Sequence, residues 1–219
     1  MKRNLITGVA SLFAFALWTV SILLVDVQAV GPNDSKVGFA TFNTWFHRLT
    51  GVHMTLYTVT DWLGLVPIAV CMGFGCLGLY QLIKRKSLFK VDADILLLGG
   101  YYMLVIFGYL FFEMAPINYR PILIDGFLEA SYPSSTTLLV LSVMPTLMFQ
   151  VNRRCDNRKM KQITMMVVGL FSAFMVIGRL ISGVHWATDI IGSILLSVGL
   201  FKLYQSAVTA SDKRKKNGI

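Results

Sequence analysis

Six long apolar runs constrain the fold of this chain more than any other feature. A helix needs roughly 20 apolar residues to cross about 30 Å of hydrocarbon, and the 219 residues have room for about six such runs with connecting loops. We predict an all-α membrane protein, a helical bundle that forms a single membrane domain over residues 1–219. The predicted transmembrane helices cover about 5–25, 62–83, 95–112, 134–151, 163–181 and 186–204.

The composition supports this class and makes a nucleic-acid-binding protein a poor fit. The chain is 55% hydrophobic and 14% charged, whereas soluble domains average roughly 25% charged residues. Its formal charge is +9, but the basic residues form short clusters beside the apolar runs, which is typical of topology signals. We therefore expect the lipid bilayer as the partner and no nucleic acid. The sequence carries no signal for an oligomeric state.

The first apolar run resembles a secretory signal in one respect. Val27-Gln28-Ala29 is similar to a small-residue cleavage site, but the run before it is too long for a typical signal peptide. We expect a retained transmembrane helix there. Residues 31–60 form the longest polar connection, and their aromatic residues favour a loop with an interfacial helix.

The distribution of Lys and Arg predicts the orientation. Most basic residues lie at the two ends of the chain and in the connections near residues 84–90 and 153–161. Because cytoplasmic connections are enriched in Lys and Arg, we expect both termini to be cytoplasmic. The loop at 113–132 and the stretch at 179–189 then emerge on the outer face. The compact form suggests the plasma membrane of a bacterium.

Three ionisable residues separate the last two apolar runs, and they mark a candidate site. His185 and Asp189 are four residues apart at the start of a helix, so the carboxylate can accept an imidazole N–H and leave the other ring nitrogen as a nucleophile or base. Arg179 offers a planar donor suited to phosphate. In a purely structural interpretation, His185 is a buried interhelical residue and Arg179 an interfacial one.

A second motif, Pro133-Ser134-Ser135-Thr136-Thr137, opens the fourth apolar run. Free backbone N–H groups at a helix N-terminus attract anions, and serine hydroxyls add donors. Small hydroxyl residues also cap many helices. This motif is therefore a weak signal on its own.

Together these residues resemble the type-2 phosphatidic acid phosphatase superfamily, which includes bacterial acid phosphatases and vanadium haloperoxidases. The resemblance covers residues 95–205, the predicted phosphatase-like core. The family pattern is K-x6-R-P, then P-S-G-H, then S-R-x5-H-x3-D, and Arg179, His185 and Asp189 match its third part at the family spacing. The resemblance implies that His185 attacks phosphorus to form a phosphohistidine, that Asp189 orients it and that Arg179 binds phosphate oxygens. It implies neither a metal nor a cofactor.

The first two parts of the pattern match less completely. Arg120 matches the arginine of the first part, which implies a phosphate ligand. Ser134 matches the serine of the second part, and the Ser135 N–H stands where the family's glycine donates. Glu113 replaces the lysine and Thr136 replaces the histidine.

The change at Thr136 bears directly on turnover. The family histidine protonates the leaving group and later activates water, and general acid–base catalysis contributes about 10²–10⁴ in rate. Three interpretations remain: His47 or His53 supplies the proton, the substrate is a diphosphate with an easier leaving group, or turnover has been lost. In a purely structural interpretation, Glu113 pairs with Arg120 or Arg179.

The main hypothesis is a phosphatase that hydrolyses a lipid phosphate or a polyprenyl diphosphate at the outer membrane face. One alternative is a catalytically impaired homologue that only binds a phosphorylated lipid. Another is a small ion- or proton-coupled transporter that uses the three residues between the last two runs. The lack of a pair of Gly/Pro-interrupted repeats argues against the transporter.

Overall fold

The computed structural model describes residues 1–217, except for the side chain of Lys216. The described chain is helical apart from a small hairpin, loops and two single 3₁₀ turns at Pro32–Asp34 and Leu88–Lys90. Its elements are α1 (Lys2–Leu24), β1 (Gln28–Ala29), β2 (Lys36–Val37), α2 (Ala40–Thr50), α3 (Met54–Leu63), α4 (Leu65–Arg85), α5 (Ala93–Met114), α6 (Ser135–Arg154), α7 (Arg158–Ile181) and α8 (Ala187–Lys216). Strands β1 and β2 are antiparallel, with Gln28 opposite Val37.

Six helical segments of the described chain are long and apolar enough to cross a membrane. They are Lys2–Leu24, Met54–Arg85, Ala93–Met114, Ser135–Arg154, Arg158–Ile181 and Ala187–Lys215. The predicted all-α membrane fold is thereby confirmed. The two largest differences from the predicted boundaries are at the start of the second span and at the end of the sixth. The second span begins in α3 rather than at residue 62, because Gly64 keeps helical dihedral angles and joins α3 to α4. The sixth helix continues past residue 204.

Helix α8 is the central element of the bundle. Its contacts with α1 are the most extensive between any two elements, and it also packs against α5 and α6. Over the most apolar 18 residues of α8, 56% is buried inside the protein, compared with 11% over the corresponding stretch of the α3–α4 span. A Cβ atom at Gly199 would lie 2.6 Å from Leu12 Cδ2, so glycine allows α1 to approach closely. Trp18 Nε1 then donates to Thr188 O over 3.0 Å.

The outward faces of the peripheral helices carry large apolar side chains, as expected of surfaces that contact lipid. Exposed examples are Phe13, Leu79, Met103, Phe107 and Leu170. Between the helices, one cluster of buried residues joins α5, α6 and α8. This cluster contains Leu98, Tyr101, Val105, Leu138, Leu196, Tyr204 and Val208.

The two ends of the bundle differ in chemistry. At the end that carries the C-terminal part of α8, Arg154 lies 3.0 Å from Asp92 and 2.8 Å from Asp94, which ties α6 to α5. Arg153 lies 2.8 Å from Asp212 of α8. A hydrogen bond from Arg85 lowers the pKa of Asp92 to about 2.

The opposite end, here called the site end, is formed by the C-termini of α5 and α7, the N-termini of α6 and α8, and the loop at 115–134. All three motifs of the predicted site meet there.

Candidate active site

The connection between α5 and α6 folds back on itself. The Arg120 N–H donates to Glu129 O over 3.0 Å, and the Ser131 N–H donates to Asn118 O over 2.9 Å. A tight turn between Ile124 and Phe127 closes the loop. This backbone pairing holds Arg120 and Ser131 on the inner side of the loop, where both are buried.

A constrained turn joins α7 to α8 and positions His185. Gly183 has φ +71°, and a Cβ atom there would lie 2.1 Å from Gly51 O. Glycine therefore satisfies both the left-handed conformation and the close approach. The α2–α3 connection supports the turn from outside, since the His53 N–H donates to Ser182 O over 2.9 Å.

Asp189 lies in the first turn of α8 and is fully buried. Its Oδ2 accepts from the Trp186 N–H over 2.9 Å, which caps the helix. Two side chains of the α5–α6 loop complete its environment: Ser131 Oγ donates to Oδ2 over 2.5 Å, and Asn118 Nδ2 donates to Oδ1 over 3.3 Å. These three donors hold the carboxylate in one orientation.

His185 is 3% exposed, and its two ring nitrogens have different environments. Nδ1 lies 3.1 Å from Ser131 O and 3.0 Å from Ser131 Oγ. Nε2 is buried and has no hydrogen-bond partner among residues 1–217. The distance from Nδ1 to Asp189 Oδ2 is 3.9 Å. The predicted direct hydrogen bond between His185 and Asp189 is therefore not made, because Ser131 lies between them.

The protonation of His185 follows from its surroundings. Burial, and then the positive charges of Arg120 and Arg179, hold the pKa of His185 well below its usual range. The ring is therefore neutral at neutral pH. Since a carbonyl oxygen only accepts hydrogen bonds, Ser131 O favours the tautomer with its proton on Nδ1 and the lone pair on Nε2.

Two buried arginines lie close to this histidine. Arg179 is 1% exposed and Arg120 is 8% exposed. Nη2 of Arg179 donates to Asp61 Oδ1 over 3.0 Å and to Thr136 Oγ1, while its Nε and Nη1 have no hydrogen-bond partner in the described chain. Arg120 Nε lies 3.1 Å from Glu129 Oε2 without hydrogen-bond geometry, and its Nη1 has no described partner. Buried guanidinium N–H groups that lack hydrogen-bond partners suit an anionic ligand.

Tyr57 and Asp61, both on α3, belong to this arrangement, although the sequence interpretation gave neither a site role. The Tyr57 ring centroid lies 4.8 Å from Arg179 Cζ and 5.8 Å from Arg120 Cζ. Asp61 is the acidic partner of Arg179. The one available signal was their position just before an apolar run, an unusual place for an aspartate.

The serine motif divides between two roles. Ser134 Oγ donates to Thr137 Oγ1 over 3.1 Å, and Ser134 O accepts from Ser193 Oγ over 2.9 Å, which joins α6 to α8. Ser135, by contrast, lines the polar cavity beside His185. The Thr136 hydroxyl accepts from Arg179.

The proposed auxiliary residues lie in different places, some at the polar cavity and some outside it. Glu113 and Glu129 line the polar cavity, but the ion pair with Arg120 is made by Glu129 and not by Glu113. His47 Nε2 donates to Gly183 O over 3.0 Å and its ring lies against Trp186, so it supports the α7–α8 turn.

His53 is exposed, and its Nε2 contacts Thr50 O over 2.8 Å. Neither His47 nor His53 lines the polar cavity.

Two adjoining cavities open at the site end. The polar cavity has a volume of about 270 Å³, and its lining includes Arg120, Ser131 and His185. The apolar cavity, of about 260 Å³, lies between α4, α5 and α6. Tyr109 and Ser135 line both. Within residues 1–217 no group of three or more His, Cys, Asp or Glu side chains is arranged to hold a metal ion.

The fold and the site together define a class, a multi-pass helical membrane protein with a polar cavity that contains a histidine and an arginine, beside an apolar cavity. The chain belongs to the PAP2 superfamily, whose family model matches residues 68–212. The resemblance predicted from the sequence motifs is confirmed, and the family match begins earlier than residue 95. Membership supports membrane phosphatase activity.

Among solved structures, the fold is similar to that of a protein described as the first transmembrane PAP2 type phosphatidylglycerolphosphate phosphatase from Bacillus subtilis. The TM-score is 0.64 and the sequence identity 18%, over 95% of this chain and 96% of that chain. A comparison with curated proteins finds no match.

Proposed function

We propose that this protein hydrolyses a lipid phosphate or a polyprenyl diphosphate at the outer membrane face, with His185 as the nucleophile. The observation that carries the proposal is the buried Nε2 of His185, which has no described partner and belongs to the same polar cavity as Arg120. Leaving a buried polar nitrogen unpaired is costly. A phosphoryl group in the cavity gives this nitrogen a reaction partner.

In the proposed reaction, the Nε2 lone pair forms a bond to phosphorus while the bond from phosphorus to the leaving oxygen breaks. The leaving oxygen takes up a proton from solvent water. Unpaired N–H groups of Arg120 and Arg179 bind the phosphate oxygens, where charge accumulates in the transition state. Water then attacks phosphorus, the bond from phosphorus to Nε2 breaks, and inorganic phosphate leaves with the oxygen of the water while its protons go to the phosphate or to solvent, which restores the neutral imidazole.

The apolar cavity supports a lipid as the substrate. It adjoins the polar cavity through Tyr109 and Ser135 and is lined mainly by aliphatic side chains such as Ile68, Val105 and Leu139. A phosphate bound near His185 therefore has an apolar space beside it for the hydrocarbon part of the same molecule.

The proton donor for the leaving group is the weakest part of a monoester mechanism here. Thr136 is engaged with Arg179, and its hydroxyl is a very weak acid. The carboxyl groups that line the cavity belong to Glu113 and Glu129. A phosphate leaving group needs less protonation than an alkoxide, which favours a diphosphate substrate.

Phosphate release by the purified protein tests the proposal. Phosphatidate, phosphatidylglycerol phosphate and a polyprenyl diphosphate are offered in mixed micelles. We expect release from at least one of them, and a loss of at least about a thousandfold in His185→Asn because the nucleophile is gone. His53→Asn is the matched control and keeps its activity. Full activity in His185→Asn would contradict the assignment of His185 as the nucleophile. If the wild type released no phosphate from any of the three substrates, the proposed phosphatase activity would be wrong.

A second candidate is a lipid-phosphate-binding protein with little turnover, and the engagement of Thr136 by Arg179 favours it. Thr136→His restores an imidazole at the family's acid position, while Thr136→Val removes the hydroxyl without adding an acid. A large gain in turnover with histidine alone supports a competent scaffold that lacks only its acid. Substantial turnover by the wild type that neither variant changes argues against this candidate.

A further inference from the structure

We infer that Ser131 is a positioning residue for His185, which connects the imidazole to Asp189 and determines which ring nitrogen carries the proton. Ser131 lies outside the three motif parts and 54 residues before the histidine in sequence. The inference rests on the proposed function, in which Nε2 of His185 is the nucleophile.

Both oxygens of Ser131 contact the same imidazole nitrogen. The carbonyl oxygen is 3.1 Å and the hydroxyl oxygen 3.0 Å from His185 Nδ1. The hydroxyl has a single proton, which it donates to Asp189 Oδ2 over 2.5 Å. Toward Nδ1 the hydroxyl must therefore accept. With two acceptors in front of it, Nδ1 carries the hydrogen and Nε2 keeps the lone pair.

Through the same contacts, the negative charge of Asp189 acts on the imidazole ring. When Nε2 bonds to phosphorus, the imidazole gains positive charge. The path from Nδ1–H through the Ser131 hydroxyl to the carboxylate stabilises that charge, although the direct distance from Nδ1 to Asp189 Oδ2 is 3.9 Å. No proton has to move along this path, because each hydrogen stays on its donor.

Ser131 is held firmly enough for this role. It is 2% exposed, and its N–H donates to Asn118 O over 2.9 Å. On the other side, the N-terminal cap of α8 fixes Asp189. Loss of comparable hydrogen-bond support around metal-bound histidines typically costs about 10–100-fold in activity, and we take this as the expected scale here.

The first experiment compares Ser131→Ala with Ser197→Ala. Ser197 is a suitable control because it is also a buried serine, but its hydroxyl donates to Ser193 O within α8. We expect Ser131→Ala to lower kcat about 10–100-fold, with KM and the affinity for inorganic phosphate unchanged because the arginines remain. Ser197→Ala keeps the wild-type kcat.

A double-mutant cycle with Asp189→Asn tests whether Ser131 acts through the carboxylate. We expect Ser131→Ala to cost less than about threefold in that background, because the charge that the hydroxyl transmits is already absent. A wild-type kcat in Ser131→Ala, or purely additive losses in the double variant, would overturn the inference.

The third measurement is independent of turnover. The chain has three histidines, so ¹⁵N-histidine labelling gives a simple NMR spectrum in which the His185 signals are those lost in His185→Asn. We expect the proton on Nδ1 near neutral pH, and a proton on Nε2 would overturn the inference. The measurement applies even if the protein releases no phosphate, so the failure of the proposed function and the failure of this inference are distinguishable.

Discussion

At the scale of single residues, Tyr57 explains how two arginines are kept together in a buried site. Its ring centroid lies 4.8 Å from Arg179 Cζ and 5.8 Å from Arg120 Cζ, so one ring contacts both guanidinium groups. Like charges repel strongly where water is scarce. The negative face of an aromatic ring offsets part of this repulsion without adding an anion that would compete with phosphate.

Replacing this ring tests its role. We expect Tyr57→Phe to retain nearly wild-type affinity for inorganic phosphate, because the aromatic ring remains. Tyr57→Leu removes cation–π contacts worth about 0.5–2 kcal/mol and should weaken phosphate inhibition by roughly 2- to 30-fold. Competitive inhibition by phosphate measures both variants. Equal weakening in the two would assign the effect to the hydroxyl instead of the ring.

The pH dependence of kcat/KM follows from the lowered pKa of His185. In the proposed mechanism the neutral imidazole is the nucleophile, so activity should fall as pH drops through this pKa, which lies below the usual value of about 6.5. Burial is the main cause of the shift and the charge of Arg120 the next.

Arg120→Gln removes one of the charges that disfavour the imidazolium. The pKa of His185 should rise, and the acid limb of the kcat/KM profile should therefore move to higher pH in this variant. Ionisation of the substrate is the same for both proteins, so the difference between their profiles belongs to the enzyme. An unchanged acid limb would contradict the prediction.

The sequence predicts only part of the site at this scale. Arg179, His185 and Asp189 were recognisable because their spacing is local and their residue types are rare beside apolar runs. Ser131, Tyr57 and Asp61 are ordinary residue types, and their importance comes from contacts over 54 to 122 residues of sequence. Ser131 also changes the predicted geometry, since it occupies the place expected for a direct His185–Asp189 hydrogen bond.

At the scale of elements, the segment at 31–60 contributes more than the expected loop with an interfacial helix. Its last part is α3, which continues into the second span and packs against α7. Asp61 lies in α3, just before the predicted start of the second span at residue 62. Its charge is compensated by Arg179, a partner that local hydropathy does not reveal.

The turn between α7 and α8 gives an element-scale prediction. Gly183→Ala forces a side chain into a left-handed conformation and against Gly51 O, a strain of about 1–3 kcal/mol. We expect a lower Tm and reduced activity, because His185 follows directly. Gly73→Ala is the control, since a Cβ atom there meets nothing within 4 Å, and its Tm should stay close to that of the wild type.

Thermal unfolding in the same detergent, followed by intrinsic fluorescence, compares the two variants. If Gly183→Ala unfolds at the wild-type temperature and retains full activity, the turn does not have the rigidity that its geometry indicates.

At the scale of the whole molecule, the orientation in the membrane is still a prediction. The basic clusters lie toward the end with the ion pairs of α5, α6 and α8, and the candidate site lies at the other end. Because basic residues mark the cytoplasmic side, the site should face outward.

Cysteine labelling tests this orientation in a variant without native cysteines. Phe127 at the site end and Asp156 at the opposite end are both exposed. We expect a membrane-impermeant maleimide, added to intact cells, to label Phe127→Cys and leave Asp156→Cys unlabelled until the cells are opened. The reverse pattern would invert the topology and place the proposed reaction inside the cell.

The number of spans was predictable because each needs its own apolar run. The arrangement of the spans was not. Hydropathy reports how apolar a helix is, but not which face meets lipid and which meets protein. The central position of α8 depends on small-residue contacts such as that of Gly199 with Leu12.

The pairing of α1 with α8 has a consequence for how the molecule is made. Trp18 and Thr188 are 170 residues apart, so during synthesis α1 reaches the bilayer long before its main partner exists. Until α8 is inserted, the small residues and the indole N–H of α1 lack their final contacts. The site end contains Asp189 of α8 and the turn that precedes this helix, so it is complete only in the last stage of biogenesis, after α8 has been inserted.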